Sequence, residues 1–124
     1  MYYTAILLNS NRTFVENDAF DLDFIIYDKN NDSLTASDLL NYKFTCEITD
    51  GAQELKKKDA NAGGSASQIS TSGTIVTVHV DSTDTDSWNG EDYVVELQME
   101  HLTTGDVHTV FKQSIKILEE ELDW

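Results

Sequence analysis

Thr74-Ile-Val-Thr-Val-His-Val-Asp-Ser-Thr-Asp-Thr-Asp-Ser-Trp-Asn-Gly90, continued by Glu91-Asp-Tyr-Val-Val-Glu-Leu-Gln-Met-Glu-His101 and Leu102-Thr-Thr-Gly-Asp-Val-His-Thr-Val-Phe-Lys-Gln-Ser-Ile-Lys-Ile-Leu118, decides the fold. Val76, Val78 and Val80 alternate with Thr77 and His79, and a period of two puts the valines on one side of a strand. Asp81-Ser-Thr-Asp84 has capping-box spacing, with Asp in place of the commoner Glu or Gln. It predicts one helical turn near residues 82–88, with Trp88 folded onto the core. Asn89-Gly90 then supplies a corner that needs positive φ.

The last hairpin has apolar rows on both strands: Tyr93, Val95, Leu97 and Met99, then Phe111, Ile115 and Ile117. Opposed residues of paired strands share a side of the sheet. A two-residue turn at Thr104-Gly105 would set Leu97 against Lys112 and Val95 against Ser114, burying polar groups. A three-residue loop, Thr104-Gly105-Asp106, or one of the same parity, pairs Met99 with Phe111, Val95 with Ile115 and Tyr93 with Ile117. It also faces Gln98 to Lys112 on the wet side, and this is the register expected.

Two earlier stretches alternate in the same way. Phe20, Leu22, Phe24 and Ile26 form one dry row, and Tyr42, Phe44, Cys46 and Ile48 another. Tyr3 to Leu8 predicts a first strand, Ile69 begins a short one before Ser72-Gly73, and Leu34 to Leu40 accommodates a helical turn capped by Thr35 or Ser37. Strands separated by polar turns predict an all-β, Ig-like antiparallel sandwich, a single domain over residues 1–118 with an acidic tail over 119–124. Residues 52–67 read as a mobile loop.

At 124 residues the chain can bury one ordinary core. Its net charge of −15 repels nucleic acid and anionic lipid. Lys56, Lys57 and Lys58 read as a solvated loop. Cys46 is the only cysteine, so no intrachain disulfide forms, and on a dry strand its thiol stays protonated. The first ten residues lack the basic start and long apolar run of a signal peptide, and no stretch reaches the ~20 apolar residues of a membrane helix.

Motifs for chemistry are sparse. Asp28, Asn30 and Asp32 place oxygen ligands at alternate positions, as a calcium loop begins, but Ser33 and Leu39 stand where such a loop needs Gly and Glu. The ordinary reading is an Asx-rich turn. Asp84, Asp86, Glu91 and Asp92 form a second acidic cluster, read as capping and a solvated corner. His79, His101 and His108 have no zinc spacing, and the expected register puts His101 and His108 on opposite sides. There is no nucleophile elbow, phosphate loop or dinucleotide turn, so neither catalysis nor a cofactor is expected. Tyr2, Tyr3, Phe14 and Trp124 lie near the ends or in loops and are the candidates for an interface or for stacking on sugar.

Two stretches carry a resemblance. Glu16-Asn-Asp-Ala-Phe-Asp-Leu-Asp-Phe-Ile-Ile-Tyr-Asp-Lys-Asn-Asn-Asp-Ser-Leu-Thr35 is one; Gly73 through Val80, Asp81, Thr85, Trp88 and Gly90 to Tyr93, Leu97 and Thr104-Gly105 is the other. They resemble Ig-like sandwich domains of tailed-phage virion proteins, such as the N-terminal domains of baseplate upper proteins. The resemblance implies a non-enzymatic structural module of tail, baseplate or neck. It implies a virion location after synthesis in the host cytoplasm, and partners among other virion proteins and copies of itself, with no nucleic acid or membrane. It carries no catalytic residues. Residues 9–17 and 52–67 would then be the candidates for docking a neighbour, and the long loop, 52–67, would order on assembly. The alternative expectation is a carbohydrate-binding or other ligand-binding sandwich module.

Overall fold

The computed structural model describes residues 3–86, 88 and 91–119. Its strands, in chain order, are β1 (Thr4–Leu7), β2 (Thr13–Val15), β3 (Phe20–Tyr27), β4 (Tyr42–Thr49), β5 (Glu54–Lys58), β6 (Ile69–Ser72), β7 (Ile75–Val80), β8 (Asp92–His101) and β9 (Val107–Leu118). A short helix, α1 (Ala36–Leu39), joins β3 to β4, and a 3-10 turn (Ala60–Ala62) follows β5. Thr35 caps α1: its hydroxyl accepts from the Asp38 N–H, and the Asp38 carboxylate accepts from the Thr35 N–H.

One sheet has the order β1-β3-β7-β6 and the other β2-β9-β8-β4-β5. All pairings are antiparallel except β2 with β9. This is the A-B-E-D sheet over the G-F-C sheet of an Ig-like sandwich, with the first strand divided between the two and an extra edge strand beside C. The all-β, Ig-like expectation therefore holds. Phe24, Phe44, Val78 and Val95 meet in one interior, each no more than 1% exposed.

Asn9 explains how the first strand changes sheets. Its side-chain amide donates to the Asp21 carbonyl at 2.9 Å, and its side-chain oxygen accepts from the Asp23 N–H at 3.0 Å. The amide thus replaces one more ladder pair on β3 while the backbone leaves to form β2. Residues 9–17, expected as a docking loop, are committed to this crossover.

The segment 52–67 also differs from the mobile loop expected. Residues 54–58 pair with β4 from Thr45↔Lys58 to Thr49↔Glu54. Beyond them the Asp59 carboxylate caps the 3-10 turn, accepting from the Ala62 N–H at 2.9 Å. The Gln68 side-chain oxygen accepts from the Lys58 N–H at 3.0 Å. Polar composition suggested disorder, but polar side chains here satisfy the backbone of an edge strand.

The turn expected near 82–88 is present as consecutive i→i+3 hydrogen bonds: Asp84 N–H to Asp81 O, Asp86 N–H to Thr83 O and Trp88 N–H to Thr85 O. Trp88 is buried and stacks on Tyr93 at 4.7 Å. Asn89 and Gly90 lie outside the described residues.

The final hairpin keeps the expected parity through its body but not the expected partners. Tyr93 faces Ile115, Val95 faces Gln113, and Leu97 faces Phe111. The loop is one residue longer than expected, with the Gly105 N–H donating to the His101 carbonyl and the His101 N–H to the Asp106 carbonyl. A β-bulge at Leu97/Gln98 takes up the difference: Gln98 faces Thr109, so Val110 is the extra residue. Both Val110 and Phe111 are buried as a result. Glu96, not Gln98, faces Lys112.

Candidate functional site

The outer face of the four-stranded sheet holds a polar line that no linear motif announces. Asp21 on β3 lies opposite His79 on β7, and β6 brings Ser70 to the other side of the imidazole. His79 Nδ1 is 2.9 Å from Asp21 Oδ1, and Nε2 is 2.8 Å from Ser70 Oγ. An ionised carboxylate only accepts, so Nδ1 carries the proton in this pair. Nε2 of the neutral ring is then an acceptor, and the Ser70 hydroxyl donates to it. One strand position further along, the Thr77 hydroxyl donates to Asp23 Oδ1 at 2.7 Å. The side chains of His79 and Asp21 are 30% and 55% exposed, so the line is open to solvent.

The same face carries an apolar row. Ile6 on β1 faces Ile25 on β3, which faces Ile75 on β7. Ile6 is 45% exposed and Leu8, on the same side, 41%. The alternation of β3 marks Ile25 as wet-facing, and the structure gives it isoleucine neighbours on both sides.

Grooves of about 270 and 320 Å³ lie elsewhere, on the outer face of the five-stranded sheet. The first is lined by Glu47 and Glu96 with Lys56, Lys57 and Lys58, Lys56 lying 3.8 Å from Glu47, and the second by Glu47, Asp50, Asp92 and Glu96 with Lys112.

The expected site residues fall as follows. Asp28 Oδ1 accepts from the N–H groups of Asn30 and Asp32, at 2.8 and 3.1 Å, closing an Asx turn after β3. Asp84 is taken by Lys57 at 2.7 Å, while Glu91 and Asp92 share Lys116. That pair of carboxylates raises the Lys116 pKa. Among the described residues no group of three or more His, Cys, Asp or Glu is arranged to hold a metal. Lys57, expected in a solvated run, is buried. Burial pushes the Cys46 thiol up to about 12, which leaves it protonated and unreactive at neutral pH.

Tyr3 and Phe14 do not present free rings. Phe14 stacks on Phe20 at 4.1 Å, and Tyr3 packs edge-on against Tyr42 and His108. Tyr2 and Trp124 lie outside the described residues. Burial, then the hydrogen bond to Tyr3, pushes the Tyr42 hydroxyl up to about 12. The expected opposition of His101 and His108 is corrected by the bulge. Beyond it Met99 faces His108, which turns that ring inward onto Tyr3, while His101 packs on Tyr42.

No family model matches the chain, and no curated protein does. Among solved structures, the protein described as "AvmM Catalyzes Macrocyclization in Alchivemycin A Biosynthesis" is similar, with a TM-score of 0.45 and 9% identity over 98% of this chain and 92% of that one. These findings correct the expectation of a non-enzymatic phage structural protein. No family or curated match ties the chain to a phage, and the solved structure just named is described as that of a catalyst. At such a likeness neither reaction nor residues pass to this chain. The expectation that the chain is no enzyme rested on missing linear motifs, and Asp21, His79 and Ser70 meet only across strands.

Proposed function

We propose that the protein is a self-associating sandwich domain that pairs with a second copy of itself along the open edge of β1. The observation that carries this reading is the chemistry of that edge. β1 has a strand neighbour on one side only, and Tyr3 to Leu8 holds no charged residue. The two edges of the five-stranded sheet are protected in ways that natural sheets use, and the open edge of β6 is polar. β5 carries Glu54, Lys56, Lys57 and Lys58; β2 is three residues long; β6 is mostly Ser and Thr.

The register specifies the pairing. The Leu8 N–H donates to the Asp23 carbonyl, so Ile6 and Thr4 also spend their backbone groups on β3. In an antiparallel ladder the alternate residues, Ala5 and Leu7, then point theirs outward. Two copies related by a two-fold axis can bond Ala5 to Leu7 of the other copy, with Ile6 opposite Ile6 of the other copy. The Ile6–Ile25–Ile75 row would continue across both sheets and leave water along its length.

Sedimentation equilibrium at physiological salt tests this. The wild-type chain is expected to dimerise. Ile6→Lys sets two ammonium groups face to face across the axis and should yield a monomer with an unchanged circular dichroism spectrum. A wild-type chain that stays monomeric at every concentration overturns the reading, as does an Ile6→Lys chain that dimerises equally well.

A further inference from the structure

Ser70, His79 and Asp21 lie on β6, β7 and β3, the other three strands of the sheet, and they do not depend on pairing at the outer edge of β1. We infer that Ser70 is an activated nucleophile that accepts acyl groups from carboxylic esters, with His79 as its base and Asp21 as the residue that positions the base. The geometry is that of a nucleophile–base–carboxylate line. Oγ and Nε2 are 2.8 Å apart, and Nδ1 and Oδ1 are 2.9 Å apart. Asp21 fixes the tautomer that leaves Nε2 free to take the hydroxyl proton.

Two surroundings suit the chemistry. The His79 N–H donates to the Gln68 carbonyl, so in the alternating ladder Ser70 bonds across to Thr77, and the N–H of Thr71 points to the open edge of β6. A backbone donor one residue past the nucleophile is where a developing oxyanion is met in serine acyl transfer. Ile75 and Ile25 lie along the same face and give an apolar acyl group a surface to lie on.

In the acylation step Ser70 Oγ attacks the ester carbonyl carbon and its proton passes to His79 Nε2. The bond from that carbon to the alcohol oxygen then breaks, and the alcohol leaves with the proton from Nε2. Water attacks the acyl-Ser70 ester in turn and gives a proton to Nε2. The carboxylic acid departs as the proton returns to Ser70 Oγ. The open face admits the water this needs.

The full chain treated with a fluorophosphonate probe tests the inference, read by intact mass and peptide mapping. One adduct on Ser70 is expected, absent from Ser70→Ala and formed roughly 100-fold more slowly in His79→Gln. Asp21→Asn should slow labelling, and Asp21→Glu should recover part of the rate. Matched thermal melts of these surface variants separate chemistry from folding. No adduct on Ser70, a rate indifferent to His79→Gln, or equal labelling of Ser67 and Ser72 overturns the inference. A rate unchanged in Asp21→Asn removes the role given to Asp21.

Discussion

Lys57 shows how far a single side chain can depart from its neighbours. Within Lys56-Lys57-Lys58 only the middle residue shares the inward side with Leu55, because the strand period is two. Its stem packs inside and its ammonium reaches Asp84 at 2.7 Å, with Lys57 7% and Asp84 19% exposed at the side chain. Asp84 has a second donor, the N–H of Asp81. The two partners are therefore unequal. Asp84→Asn strands a buried ammonium and should cost about 3 kcal/mol, whereas Lys57→Met leaves a carboxylate that still has a donor and some water, and should cost less. Urea midpoints of the two variants check this, and the reverse order would refute it. The lysine run and the acidic turn are both visible in the chain. Their meeting is not, because it depends on β5 lying within reach of the turn after β7.

At the scale of an element, the close of β5 depends on Gly64. A Cβ there would stand 2.0 Å from the Lys58 carbonyl oxygen and 2.6 Å from its carbon. The chain returns so tightly because the Gly64 N–H donates to the Asp59 carbonyl and the Ser65 N–H to the Lys58 carbonyl. Gly64→Ala must push two backbones apart. It should destabilise the fold by about 2–3 kcal/mol, with faster amide exchange at Ser65. Protection at Ser65 equal to wild type would show that the return does not need glycine. The alternating rows of β3, β4, β7 and β8 were legible from periodicity alone, and residue type narrowed the cap of α1 to Thr35 or Ser37, of which Thr35 takes it. The strand at residues 54–58 was not, since Glu-Leu-Lys-Lys-Lys carries little β-propensity and is held by its partner β4 and by Gln68. The β9 register was legible in parity only. A loop one residue longer and a bulge one residue wide cancel in the body of the hairpin, leaving the displaced side chains, Val110 and His108, beyond it.

Over the whole molecule the net charge of −15 opposes association, and the uncharged β1 edge is where two copies can approach. Self-pairing should therefore tighten as salt rises, since the Debye length falls from about 30 Å at 0.01 M to about 3 Å at 1 M. Dissociation constants measured by sedimentation across that range check it, and weaker pairing at high salt would point to ionic contacts instead of β1. What the chain determined by itself was its set of dry and wet faces, hence strands and a two-layer core, because side-chain direction along a strand alternates locally and needs no partner. Strand order belonged to the tertiary structure. It brought Asp21 to His79 across 58 residues, set Ser70 on the far side of that ring, closed Lys57 on Asp84 and left β1 open. Neighbours across a sheet are chosen when all the strands compete to bury their dry faces at once, and no single segment encodes the outcome.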